Sequence, residues 1–325
     1  MQMKKKVLSS IIIVTFLLGG CSQSSDEVLS FQELELADYN QGSNLAVGVN
    51  DFFATDLTVI SQEENQGDDP LLDSAAILLL NKTKQIPLYS DNIYDKLYPA
   101  SLTKLMTALV ALRYGELTDS VTISYNASHL PYTGVKLCGL QEGDVISLDT
   151  LLHGLLIYSG NDAGIAIAEH ISGSEEAFVK LMNEEARRLG AVHSNFINSH
   201  GLHDDNHYST AYDIYLIINE LMKYDHFLTI IGKRDYNASY TDKHGYIKEK
   251  SYTTSNLYLK GNMEHPEGIN ILGGMTGSTS KAGSCSFLLV KTHDGNEYIM
   301  VILKATNGDE LYSQMHHLFT YIVTD

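Results

Sequence analysis

Residues 101–114 are apolar on almost every side of a helix, and that helix opens on Ser101-Leu102-Thr103-Lys104. Leu102, Leu105, Met106, Leu109 and Val110 recur at i, i+3, i+4, i+7 and i+8, while Ala108, Ala111 and Leu112 fill much of the remaining circumference. A helix of this kind must be buried, so the rest of the chain has to wrap it. An idle lysine inside it would be costly, because a buried charge without partners loses its hydration. Ser101 and Lys104 stand three apart and project from one face toward the same cavity, beside the positive end of the helix dipole. A serine hydroxyl becomes a nucleophile when a neighbouring base takes its proton, and a desolvated lysine with a depressed pKa can be that base.

Two further motifs follow in order. Ser159-Gly160-Asn161 lies between two helical runs, where alternate residues of an extended turn face one cleft. Ser159 could pass a proton from Lys104 to a leaving amine, and the Asn161 amide could hold both Lys104 and a substrate carbonyl. Met275-Thr276-Gly277 stands on a strand. Taken singly these signals are weak, since S-x-x-K arises often by chance and S-x-N is a common helix cap.

The coarse pattern is that of one α+β unit without internal repeats. Residues 75–80 and 86–89 predict two paired strands. Helices are expected over 101–114, 148–158 after a Ser147 cap, 161–171 ended by Gly173, 174–189 closed by Gly190, and 210–223 with Thr210 and Asp213 spaced as a capping box. Strands follow over 271–276, 284–291 and 297–304, the last two joined by the hairpin signal Asp294-Gly295. A closing helix over 311–323 carries Leu311, Met315, Leu318, Phe319 and Ile322 on one stripe.

The net charge of −18 argues against nucleic acid as a partner, and any carboxylate-binding pocket must supply its positive charge locally. At the N-terminus, Lys4, Lys5 and Lys6 precede an apolar run from Val7 to Leu18 that is too short to span a bilayer. Leu18-Gly19-Gly20-Cys21 then resembles a bacterial lipobox, so residues 1–20 are expected to be a lipoprotein signal peptide and Cys21 the lipidated mature N-terminus. Residues 21–73 read for the most part as a polar spacer, in which Leu57-Thr58-Val59-Ile60 could still add a short strand, and 74–325 as the catalytic domain. Cys138 and Cys285 are expected as unpaired thiols. His200, His203 and His207, with Asp204, have spacing compatible with zinc, but the reading preferred is a structured loop without metal.

Together the motifs resemble the low-molecular-mass serine D-alanyl-D-alanine carboxypeptidases, the penicillin-binding peptidases of family S11. The resemblance runs through Leu97-Tyr98-Pro99-Ala100-Ser101-Leu102-Thr103-Lys104, through residues 151–162 and through His207-Tyr208-Ser209-Thr210-Ala211-Tyr212-Asp213, and His200-Gly201-Leu202 resembles that family's H-G-L motif. It implies a serine β-lactamase/DD-peptidase-like fold, an antiparallel sheet flanked by helices with a helical lobe and the cleft between them. It implies Ser101 as nucleophile, Lys104 as general base, Ser159 and Asn161 as relay and positioning pair, and the N–H groups of Ser101 and Ser278 as oxyanion hole. Met275, Thr276, Gly277 and Ser278 match the strand that binds substrate. It also implies peptidoglycan stem peptides as substrate, β-lactams as covalent inhibitors and no cofactor. The C-terminal β-rich domain of some relatives is not expected.

The departure is Met275, where the family has a lysine whose ammonium attracts the substrate carboxylate and depresses the base's pKa. Losing one charge-assisted hydrogen bond costs about 1.5–3 kcal/mol, roughly ten- to several-hundredfold in rate. The expectation is a weakened enzyme, with an impaired penicillin- or muropeptide-binding lipoprotein as the alternative. A β-lactamase is disfavoured, because class A members use S-D-N and an added Glu.

Overall fold

Strands without a polar side belong inside a sheet covered on both faces, and the computed structural model arranges residues 76–81 that way. It describes residues 56–61, 64, 65 and 67–325. In chain order the first half runs β1 (Ala76–Asn81), β2 (Ile86–Asp91), α1 (Thr103–Tyr114), β3 (Ser120–Thr122), α2 (Tyr125–Ser128), β4 (Val145–Ser147), α3 (Leu148–His153), α4 (Asn161–Ser172) and α5 (Glu175–Arg188). The second half runs α6 (Ala211–Leu221), α7 (Asp225–Ile231), β5 (Asp235–Thr241), β6 (Ile247–Thr253), α8 (Leu257–Lys260), β7 (Ile269–Thr279), β8 (Gly283–Thr292), β9 (Glu297–Ala305) and α9 (Gly308–Thr324).

The main sheet is antiparallel with the order β2-β1-β9-β8-β7. Side chains alternate between its faces along each strand. Leu78, Leu80, Phe287, Leu289, Val301 and Leu303 join the larger core with the helical lobe, whereas Ile77, Leu79, Leu288, Val290, Met300 and Ile302 pack under α9. Helix α9 covers that second face with Leu311, Met315, Leu318, Phe319 and Ile322, the stripe its sequence predicts. The hairpin between β8 and β9 turns at Gly295, whose φ of 94° lies in the left-handed region that Asp-Gly sequences supply.

In the helical lobe, caps act where the sequence places them. Ser147, Ser174 and Thr210 each accept a hydrogen bond from a backbone N–H three residues on. The run 148–158, expected as one helix, changes character at Gly154 and finishes as a π-helical turn over Gly154–Tyr158. A second antiparallel sheet, β3-β4-β5-β6, lacks any counterpart in the sequence reading. In its β5–β6 hairpin, β5 alternates Tyr236, Ala238 and Tyr240 with polar residues, but β6 is polar and largely exposed, and neither strand carries an apolar run.

The expected polar spacer reaches too far along the chain. Ile60 and Leu72 are buried, the Thr58 N–H donates to Tyr215 Oη at 2.9 Å, and Asp69 takes hydrogen bonds from His317 at 2.7 Å and Tyr321 at 2.8 Å. The packed unit therefore begins well before residue 74, because isolated apolar residues in a polar stretch can dock without periodicity. The signal peptide, Cys21 and the first part of the spacer lie outside the described residues.

Candidate active site

Helix α1 is preceded by a 3-10 turn over Ala100–Leu102, so Ser101 sits at its mouth while Lys104 points inward with 0% exposure. Ala100 is held at a φ of 48°, a left-handed conformation unusual for a residue with a Cβ. Lys104 Nζ lies 3.2 Å from Ser101 Oγ, 2.8 Å from Asn161 Oδ1 and 2.5 Å from the His200 carbonyl oxygen. Three oxygens therefore satisfy three donors. Burial pushes the amine down to about 7; the Cys138 thiol opposes the shift and the Lys136 ammonium adds to it. A lysine so placed is partly neutral near pH 7 and can accept a proton from Ser101.

Ser159 ends the π-helical turn in the left-handed conformation, φ 65° and ψ 36°. That twist directs its hydroxyl to Ser101 Oγ at 2.9 Å, while Asn161 opens α4 with its side chain on Lys104. Gly160 has no room for a side chain, since a Cβ there would lie 2.3 Å from Cys138 Sγ. The four residues singled out in the sequence, Ser101, Lys104, Ser159 and Asn161, thus form one hydrogen-bonded cluster.

Strand β7 is an edge of the main sheet and forms the opposite wall. Gly277 lets it approach α1 closely, because a Cβ there would lie 2.6 Å from Ser101 N. Thr276, Gly277 and Ser278 line a cleft of about 680 Å³ together with Ser101, Ser159 and Asn161. The free edge of such a strand can pair with an extended peptide backbone. Met275 requires a correction. It is 2% exposed, belongs to the larger core and is not among the residues lining the cleft, so its side chain packs behind the wall rather than meeting a ligand.

The histidine-rich loop binds α1 instead of gathering round one point. Thr103 Oγ1 is 2.8 Å from His207 Nε2, Thr107 Oγ1 donates to the Ser199 carbonyl at 2.6 Å, and the His200 carbonyl holds Lys104. Burial lowers His200 to about 3 and His207 to about 4, so both rings are neutral at ordinary pH. His203 is turned away to Asp205. A second cluster, Asp149, His153 and His226, lies off the cleft. There His153 already engages the Asp149 carbonyl at 2.8 Å and Lys233 Nζ at 2.9 Å, and His226 pairs with Asp149 at 2.6 Å. Cys138 and Cys285 are buried free thiols.

Two contributors went unread in the sequence. The carboxylate of Asp162 accepts from the N–H groups of Cys138 and Gly139 at 2.8 Å and of Leu140 at 3.2 Å, pinning the loop that walls the cleft. The His200 carbonyl supplies the third acceptor for Lys104. The H-G-L resemblance marks the place of the latter, but a backbone oxygen leaves no trace in residue identity.

A family profile described as D-alanyl-D-alanine carboxypeptidase, peptidase S11, matches residues 63–307. The D-alanyl-D-alanine carboxypeptidase DacF of Bacillus subtilis (strain 168) is 35% identical over 254 residues, covering 76% of this chain and 61% of the relative. DacC of Escherichia coli (strain K12), with the same description, is 30% identical over 287 residues, covering 85% of this chain and 68% of its own length. The chain thus spans under two thirds of the Bacillus relative's length. The crystal structure of the Streptomyces K15 DD-transpeptidase superposes with a TM-score of 0.69 at 25% identity, over 78% of this chain and 100% of that one.

Proposed function

This chain belongs to the S11 family of D-alanyl-D-alanine carboxypeptidases, and on that footing we propose that it removes the terminal D-alanine from peptidoglycan stem peptides through an ester on Ser101. Ser101 Oγ attacks the carbonyl carbon of the penultimate D-alanine, and its proton passes to neutral Lys104. The N–H groups of Ser101 and Ser278 receive the developing oxyanion. Collapse breaks the C–N bond, Ser159 hands its proton to the departing amine and takes in its place the one held by Lys104, and D-alanine leaves. Water then attacks the ester, giving its proton to the again neutral Lys104, which returns it to Ser101 Oγ as the ester C–O bond breaks and the shortened peptide leaves. Asn161 orients the base, and Thr276, Gly277 and Ser278 receive the substrate backbone.

The observation that carries this reading is the buried lysine, lowered to about 7 with its nitrogen 3.2 Å from a cleft-facing serine oxygen. Penicillins, as cyclic acyl donors, would acylate the same oxygen. Among the described residues lining the cleft there is no carboxylate to activate a deacylating water, which favours a long-lived penicillin adduct over β-lactamase turnover. We place the protein at the outer face of the bacterial membrane, held by lipid on Cys21; among the described residues no helix is long and apolar enough to cross a membrane.

Intact-mass measurement after benzylpenicillin should show one adduct, mapped to Ser101 and lost in Ser101→Ala. Release of D-alanine from a diacyl-D-Ala-D-Ala peptide should accompany it. An adduct without release would favour the impaired binding protein, and the absence of both would refute the peptidase reading.

A further inference from the structure

The substrate proposed above ends in a carboxylate, and position 275 offers it no cation. The chain carries a net charge of −18, yet no described residue on the cleft wall is acidic. One residue on that wall is charged, Lys136, since His200 is neutral and Lys104 lies behind Ser101 with its donors committed. The Lys136 ammonium makes no ion pair with any described residue and rests over the Tyr158 ring at 4.7 Å. A cation–π contact at an exposed site is weak and leaves the ammonium free to turn to an anion.

The backbone under that side chain is fixed relative to the reacting groups. The Lys136 carbonyl accepts from Asn161 N–H at 2.9 Å, and the Asp162 carboxylate clamps the next residues, Cys138, Gly139 and Leu140. Across the cleft stand the hydroxyl-bearing residues Thr276, Ser278 and Thr279. We propose that Lys136 is the residue that recognises the substrate's terminal carboxylate, making a free acid at the leaving D-alanine the condition for efficient acylation. The inference rests on the peptidase reading and names the residue that determines its specificity. Lysine suits the task as a compact charge on a flexible stem, delivered from the loop and not from the strand. Hydroxyls opposite it would complete the carboxylate's hydrogen bonds.

The test compares the rate of Ser101 acylation by benzylpenicillin with that by its methyl ester, read by intact mass, in the parent chain, Lys136→Met and Lys136→Arg. Lys136→Met should slow the acid about ten- to a hundredfold and the ester far less, the ester registering only the smaller effect of removing the ammonium that helps to lower Lys104. Lys136→Arg should restore most of the acid's rate. Equal losses for acid and ester, which a merely structural role would give, would overturn the proposal, as would no loss for either. If the parent chain is acylated by neither compound, the peptidase reading itself fails and takes this inference with it. A parent chain that reacts normally, with variants that match it, confines the failure to Lys136.

Discussion

Lys104 must lose its proton before it can take one from Ser101, and its pKa of about 7 turns that requirement into a pH dependence. The neutral amine is the active form, so acylation should climb as pH rises through about 7 and level off above it. Lys104→Met should depress acylation about a hundredfold or more at every pH, since a general base contributes on that order. A profile flat from pH 5 to 9 would speak against Lys104 as the base. At position 275 the structure calls for a different expectation from the sequence. Met275→Leu, close in volume, should cost less than about 1.5 kcal/mol, and Met275→Ala about 2–5 kcal/mol through the cavity it opens. Neither should change acylation of the folded protein, as denaturant titration beside acylation rates would reveal. The methionine was legible as a departure from the family, but its burial was not, because a strand residue's face depends on the register of the whole sheet.

Among the elements, the π-helical turn over Gly154–Tyr158 is the one that aims a side chain. It delivers Ser159 in a left-handed conformation, at a cost of about 1–2 kcal/mol for a residue with a Cβ. Ser159→Gly should therefore be more stable than Ser159→Ala by about 1 kcal/mol, while both slow acylation; equal unfolding midpoints would show the conformation to be unstrained. The helix over 148–158 could be foreseen from its apolar period, but not its widened last turn, which keeps the same residues and merely shifts their hydrogen bonds. The β5–β6 hairpin escaped for another reason: most of its residues face solvent, and their polarity hides the strand.

For the molecule as a whole, the segment ahead of β1 is part of the fold. A chain starting at Ser74 would lose buried Ile60 and Leu72, about 3–6 kcal/mol at 1.5–3 kcal/mol for each side chain, together with the Asp69 links to α9. Its urea midpoint should fall well below that of a chain starting at Asp56, and equal midpoints would return residues 56–73 to the role of spacer. The amino-acid order alone determined the residue types of the catalytic cluster, the caps, the doubly buried strands and the amphipathic last helix. These depend on neighbours a few positions away, where spacing and side-chain chemistry are enough. The tertiary structure decided which groups meet: that Lys104 finds its third oxygen on a loop 96 positions distant, that Met275 turns inward, and that Lys136 stands as the one charge among the described residues of the cleft wall. Such encounters are set by how sheets and helices pack, and packing is a property of the entire chain.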